Sequence, residues 1–169
     1  MIERTSIVKN RGGAQSVAQL ANFVRGNVEK DQKIEPLSGE DAERVEKQRA
    51  WVRGHFEPDA RHKYSTIEGK LRLIETILEA GWIEPSETWK LQSLGIALGD
   101  AVAQKMGLNW VAVQDDLGRD PALSLPRTSI LVFPLTWISK RIERGEKVDV
   151  IELYASLCQT VERMQSEGY

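Results

Sequence analysis

A mainly helical α+β fold, with five to six helices packed on a small antiparallel β-hairpin or sheet, follows from three features of this sequence. Apolar residues recur at helical spacing in several windows closed by glycine or proline. Between residues 108 and 133 that period gives way to short β-prone runs separated by turn chemistry. The 169 residues are 41% hydrophobic and 28% charged, the ordinary balance of a chain that buries one core.

Residues 1–13 read as a lead-in ending at Gly12-Gly13. Val17, Leu20, Ala21, Val24 and Val28 then predict a helix over 14–30. A connection with Pro36 leads to Ser38, which with Asp41 three residues on can cap a second helix reaching Arg53. Only Ala42, Val45 and Val52 interrupt its charges, so it is expected to be peripheral or to dock outside the domain. The stretch 54–64 reads as a loop. Ser65 and Glu68 form a capping box for a third helix with Ile67, Leu71, Ile74 and Leu78 as its stripe and Gly81 as its stop.

Leu91, Leu94, Leu98, Val102 and Met106 predict a fourth helix over 86–106, ended by Gly107. Leu108–Val113 reads as a strand, Asp115–Gly118 as a turn, Pro121–Arg127 as irregular, and Thr128–Phe133 as a second strand. The fourth and last helices are expected to cover this hairpin, because a lone hairpin is marginal in water. A short helix over 134–144 starts at Pro134 and stops at Gly145. Asp149 caps the last helix, whose stripe reads Ile151, Tyr154, Leu157, Cys158, Val161 and Met164. Residues 1–64 thus form a charged helical region that packs on or extends an α+β module at 65–169. The first carries 12 basic and 10 acidic side chains, the second 11 and 15.

Several segments of the second part are similar to a known bacterial family. They are Leu94-Gly95-Ile96-Ala97-Leu98-Gly99-Asp100, Gly107-Leu108-Asn109-Trp110-Val111-Ala112-Val113, Gly118-Arg119-Asp120-Pro121-Ala122-Leu123 and Thr128 through Thr136. The run Ile138–Glu146 with Val148-Asp149-Val150 completes the series. Together they resemble a domain-of-unknown-function family of roughly 90-residue modules, over about residues 66–157. The resemblance implies membership and carries no reaction, cofactor or site residue with it.

The residues themselves exclude much chemistry. A net charge of −2 disfavours a general nucleic-acid binder. One cysteine rules out an internal disulfide and a multi-cysteine zinc site. No apolar run approaches a membrane span, and the N-terminus lacks a secretory pattern, so no membrane partner and a cytoplasmic setting are expected. Asp115, Asp116 and Asp120 lack the spacing of a calcium loop and suit a hairpin turn with Asx-type bonds. His55 and His62 match no zinc signature. Gly95 and Gly99 on a helix suit close packing rather than a nucleotide loop, and Cys158 suits a buried thiol. No catalytic residue, metal or cofactor emerges, and an enzyme is disfavoured.

Five tryptophans are the least ordinary feature, since that side chain is large, amphipathic and enriched at binding hot spots. Trp110 suits a strand core. Trp51, Trp82 and Trp89, with Arg119 at the hairpin tip, are the candidate partner-binding residues. Asp100, Lys140 and Arg141 are candidate ligand-binding residues between the fourth helix and the hairpin. The leading expectation is a small cytosolic bacterial protein that binds another protein, such as a toxin-neutralising immunity protein or effector-associated adaptor. The alternative is a regulatory module for a small molecule or anion. Oligomeric state stays open.

Overall fold

The computed structural model describes residues 24–26 and 31–169. They form an α+β fold, mainly helical, with an antiparallel five-stranded sheet. In chain order the elements are β1 (Val24–Arg25), β2 (Lys33–Pro36), α1 (Gly39–Arg53), a 3-10 helix (Pro58–Ser65), α2 (Ile67–Glu79) and α3 (Thr88–Met106). Then come β3 (Asn109–Asp115), β4 (Gly118–Ser124), β5 (Leu131–Val132), α4 (Thr136–Glu143) and α5 (Val150–Ser166). The sheet order is β1-β5-β4-β3-β2.

Helix α3 is the axis of the molecule. Leu91, Leu94, Leu98 and Val102 are fully buried along it, and α1, α2, α4 and α5 all pack on it. Gly107 stops it in the left-handed conformation (φ 70°). Gly95 and Gly99 let the segment before α4 approach closely. A Cβ on Gly95 would lie 2.5 Å from the Pro134 carbonyl oxygen, and one on Gly99 would lie 2.9 Å from the Pro134 ring. A glycine costs a helix about 1 kcal/mol relative to alanine, and here the closeness of the Pro134-Leu135 backbone offsets it.

Several expectations need correction. Val24 and Arg25, expected in a helix over 14–30, pair with Val132 and Leu131 of β5. Val24 is a core residue all the same, so its apolar position holds while its element does not. Residues 14–23 and 27–30 of that expected helix, and the lead-in before it, lie outside the described residues. The connection 31–38 contains edge strand β2, where Pro36 is tolerated because an edge leaves one side of the ladder unused. The hairpin partner of β3 is β4, not the Thr128–Phe133 run, of which only Leu131–Val132 is strand. Pro121 disguised β4. It pairs with Ala112 on β3, while β5 reaches only Leu123 and Ser124, so the proline faces no second ladder.

Helix α1 is neither peripheral nor docked elsewhere: Val45, Gln48 and Val52 are buried, and it packs on α3. Its narrow seam suffices because Val45 meets Ile96 and Leu135 in a small satellite core. Ser38 makes no side-chain cap bond, and Asp41 turns to Arg119 instead. At α2 the cap is Thr66, which accepts from the Gly69 amide at 3.0 Å, while the Ser65 hydroxyl donates to the His62 carbonyl. In α5 the buried stripe is Val150, Leu153, Leu157, Val161 and Met164, and Ile151 is exposed. That helix packs chiefly on α3 and α2 rather than on the sheet. Asp149 caps it as expected, accepting from the Glu152 amide at 2.9 Å.

Gly95→Ala should destabilise the fold by about 2 kcal/mol through overpacking against the Pro134 carbonyl. Thermal melting of the variant checks this, with an unchanged melting temperature as the contrary result.

Candidate functional site

Four groups of side chains contain the candidate residues. In the first, Asp100 projects from the middle of α3 and accepts four hydrogen bonds from three other elements. Arg49 of α1 donates from Nε (2.6 Å) and Nη2 (2.8 Å), one bond to each carboxylate oxygen. The Tyr64 hydroxyl of the 3-10 helix donates at 2.8 Å, and the Trp110 indole of β3 at 2.9 Å. Both oxygens carry two bonds, so the carboxylate is saturated and only 10% of its side chain is exposed. Such a bidentate guanidinium–carboxylate pair is among the stronger polar contacts a protein makes. The hydrogen bond to Asp100 raises the Arg49 pKa further above its ordinary value. Burial, reinforced by the Asp100 charge, holds the Tyr64 phenol well above its usual range.

Lys70 lies beside this network. Its ammonium sits 5.1 Å from the Tyr64 ring centroid and donates to Gln104 at 2.8 Å, and burial lowers its pKa. Gln104 in turn donates to the Ser65 carbonyl. Every group here is matched, which is the pattern of a structural joint rather than of a reactive centre.

The second group is aromatic. Trp51 near the end of α1, Trp82 in the α2–α3 connection and Trp89 in the first turn of α3 come together. Trp51 meets Trp82 and Trp89 edge-on at 6.1 and 5.8 Å between centroids. His55 contacts Trp51 at 4.6 Å and stacks on Trp82 at 5.7 Å. The Lys90 ammonium lies 5.0 Å from the Trp82 ring centroid and pairs with Glu87. Trp82 and Trp89 remain 44% and 46% exposed. Three of the candidate partner-binding residues thus form one surface, and His55 is a member that sequence reasoning missed. It lies in the turn just past α1, where its Nδ1 sits 2.9 Å from the Trp51 carbonyl oxygen, and no helical spacing pointed to it.

The third group holds Arg119. Its guanidinium is not free at the hairpin tip but is folded onto Glu35 of β2 (2.6 Å) and Asp41 of α1 (2.8 Å). It fastens strand β2 and the start of α1 to β4. At the tip itself the Leu117 amide donates to Asp115 Oδ1 at 2.8 Å, an Asx turn. No group of three or more His, Cys, Asp or Glu among the described residues could hold a metal ion.

The fourth group does not assemble. Asp100 is enclosed in its clasp. Lys140 lines a cleft between the hairpin tip and α4, floored by Val113, Pro121, Phe133 and Leu135. Arg141 is buried, donates to the Trp137 carbonyl at 2.5 Å, and borders a different cleft at the start of α5. The three candidate ligand-binding residues therefore share no pocket. Cys158 is buried and burial raises its thiol pKa, while Tyr154 is pushed up to about 12 by the same cause.

The chain belongs to the DUF3806 family, a domain of unknown function, whose model matches residues 70–154. That stretch runs from Lys70 on α2 to Tyr154 on α5, and leaves α1 outside. A crystal structure from Bacteroides thetaiotaomicron VPI-5482, determined at 1.50 Å resolution, is similar in fold, with a TM-score of 0.59 and 15% sequence identity. The similarity covers 76% of this chain and 48% of that one, so this chain spans about half its length. No curated protein matches. Among the described residues no helix is long and apolar enough to cross a membrane.

Two predictions follow from the Asp100 clasp. Asp100→Asn removes the charge that faces Arg49 and should cost about 2–3 kcal/mol in chemical denaturation, less than a fully buried pair because Arg49 is partly exposed. Tyr64→Phe should cost about 1 kcal/mol. A phenol whose folded pKa lies above its unfolded value of about 10 stabilises fully below that pH and loses its contribution as pH rises further. Denaturation midpoints between pH 9 and 11.5 should therefore fall more steeply for the native chain than for Tyr64→Phe. Parallel profiles would contradict the clasp geometry.

Proposed function

We propose that this chain is a cytoplasmic protein-binding module whose contact surface is the aromatic patch of Trp51, His55, Trp82 and Trp89. The observation that carries the reading is the convergence of three tryptophans, from α1, α3 and the connection before α3, onto one half-exposed surface. Scattered exposed apolar residues need no explanation, but a contiguous patch does. Tryptophan supplies large contact area at small conformational cost, and truncating such an anchor commonly costs 2 kcal/mol or more of binding. The matched, enclosed Asp100 network and the absence of a shared pocket for Asp100, Lys140 and Arg141 favour binding over catalysis. An immunity protein or an effector-associated adaptor is a specific form of this proposal, distinguished by the partner retained.

The test is affinity capture from the native host with the unaltered chain and with Trp82→Ala/Trp89→Ala. The reading expects a stoichiometric protein partner whose retention falls at least tenfold in the variant, with circular dichroism unchanged. No such partner, or one held equally by both, would overturn it.

A further inference from the structure

The exposed face of α1 beside this patch has a charge pattern that matches itself. Glu40, Glu43, Arg44 and Lys47 fall at i, i+3, i+4 and i+7, which places them on one face of the helix. All four are exposed, and together with Trp89 they line one shallow groove. Neither Glu40, Glu43 nor Lys47 has an ion-pair partner within 4 Å among the described residues, and Arg44 only approaches Asp120 at 3.9 Å. The groove is neutral as a whole, acidic along its first half and basic along its second. A partner carrying one sign of charge would be attracted by one half and repelled by the other.

A second copy of the same helix meets no such conflict. Crossed antiparallel about a two-fold axis midway between Glu43 and Arg44, Glu40 faces Lys47 of the partner subunit and Glu43 faces Arg44 of the partner subunit. Both pairs repeat by symmetry, as an isologous interface requires. Exposed ion pairs contribute little affinity, but they fix register and orientation. Trp89, which lines the groove and is 46% exposed, contributes apolar area beside these charges.

We propose that the occupant of the α1 groove is a second copy of this chain, paired antiparallel through Glu40, Glu43, Arg44 and Lys47 with Trp89 at the border of the contact. This rests on the reading of the aromatic patch as a binding surface and names its partner. The pairing is sensitive to salt, because charges at an exposed interface are screened.

Sedimentation equilibrium at low ionic strength, across a protein concentration series reaching 200 μM, tests it. The unaltered chain should show a reversible monomer–dimer equilibrium. Glu40→Lys and Lys47→Glu should each raise the dissociation constant at least tenfold, and Trp89→Ala should do the same. The double swap Glu40→Lys/Lys47→Glu should restore it to within about threefold, since each new lysine again faces a glutamate. An effect confined to one helix would accumulate in the double variant instead of cancelling. A monomer throughout the series, single variants that dimerise normally, or an unrescued double swap would each overturn the proposal. A monomeric chain that still loses a different partner on Trp82→Ala/Trp89→Ala would overturn it while leaving the reading of the patch intact.

Discussion

A carboxylate placed within the apolar stretch Leu94–Ala103 of α3 has to be neutralised, and the packing of three neighbouring elements meets that requirement. Asp100 sits one residue after Gly99 on α3, between Leu98 and Ala101, both fully buried. Left unpaired there it would destabilise the core. Its four donors come from α1, the 3-10 helix and β3. One side chain thereby fixes the entry of the sheet, the connection before α2 and the position of α1. The last of these matters most, because α1 lies outside the stretch matched by the family model and has only a narrow apolar seam. Without the bidentate bond to Arg49, α1 would be held by Val45 and Val52, by Trp51 on Trp82 and Trp89, and by the Arg119–Asp41 pair at its start.

Steric closeness does on the other flank of α3 what charge does here. The two glycines admit the Pro134-Leu135 backbone, and this sets where α4 begins and where β5 must end. Trp110 links the two sides: its indole donates to Asp100, and its ring lies 3.1 Å from where a Gly99 Cβ would be. The helix interior, the sheet and the α1 layer are thus registered through adjacent positions, Gly99 and Asp100. The aromatic patch inherits its geometry from this joint, since Trp51 and His55 are carried on or just beyond α1 while Trp82 and Trp89 belong to the approach to α3.

The parts of the fold that local rules determine were readable. Helical periodicity located α2, α3 and α5, left-handed glycines ended α2 and α3, and Asp149 marked the start of α5. Contacts between distant segments were not. Two-residue strands such as β1 and β5 have no period to detect, and Pro121 argued against a strand whose open side only the completed sheet reveals. Within the candidate site, the tryptophans stood out by their number, and family membership by the ordered motifs from Leu94 to Val150. Asp100 was visible as a polar residue with no stated partner. That Arg49 rather than Arg44 or Arg53 would reach it depends on the rotation of α1 about its own axis, set by where Val45 meets Ile96 and Leu135. Arg119 likewise looked free because Glu35 and Asp41 lie far from it in sequence.

The central claim is that Asp100 joins α1 to the family core, and hydrogen exchange reads it residue by residue. In Asp100→Asn, amides of residues 43–53 should lose protection selectively, opening with a free energy well below that of global unfolding, while α3 and α5 keep the global value. Protection that falls equally in all helices, or that does not change in α1, would contradict the account.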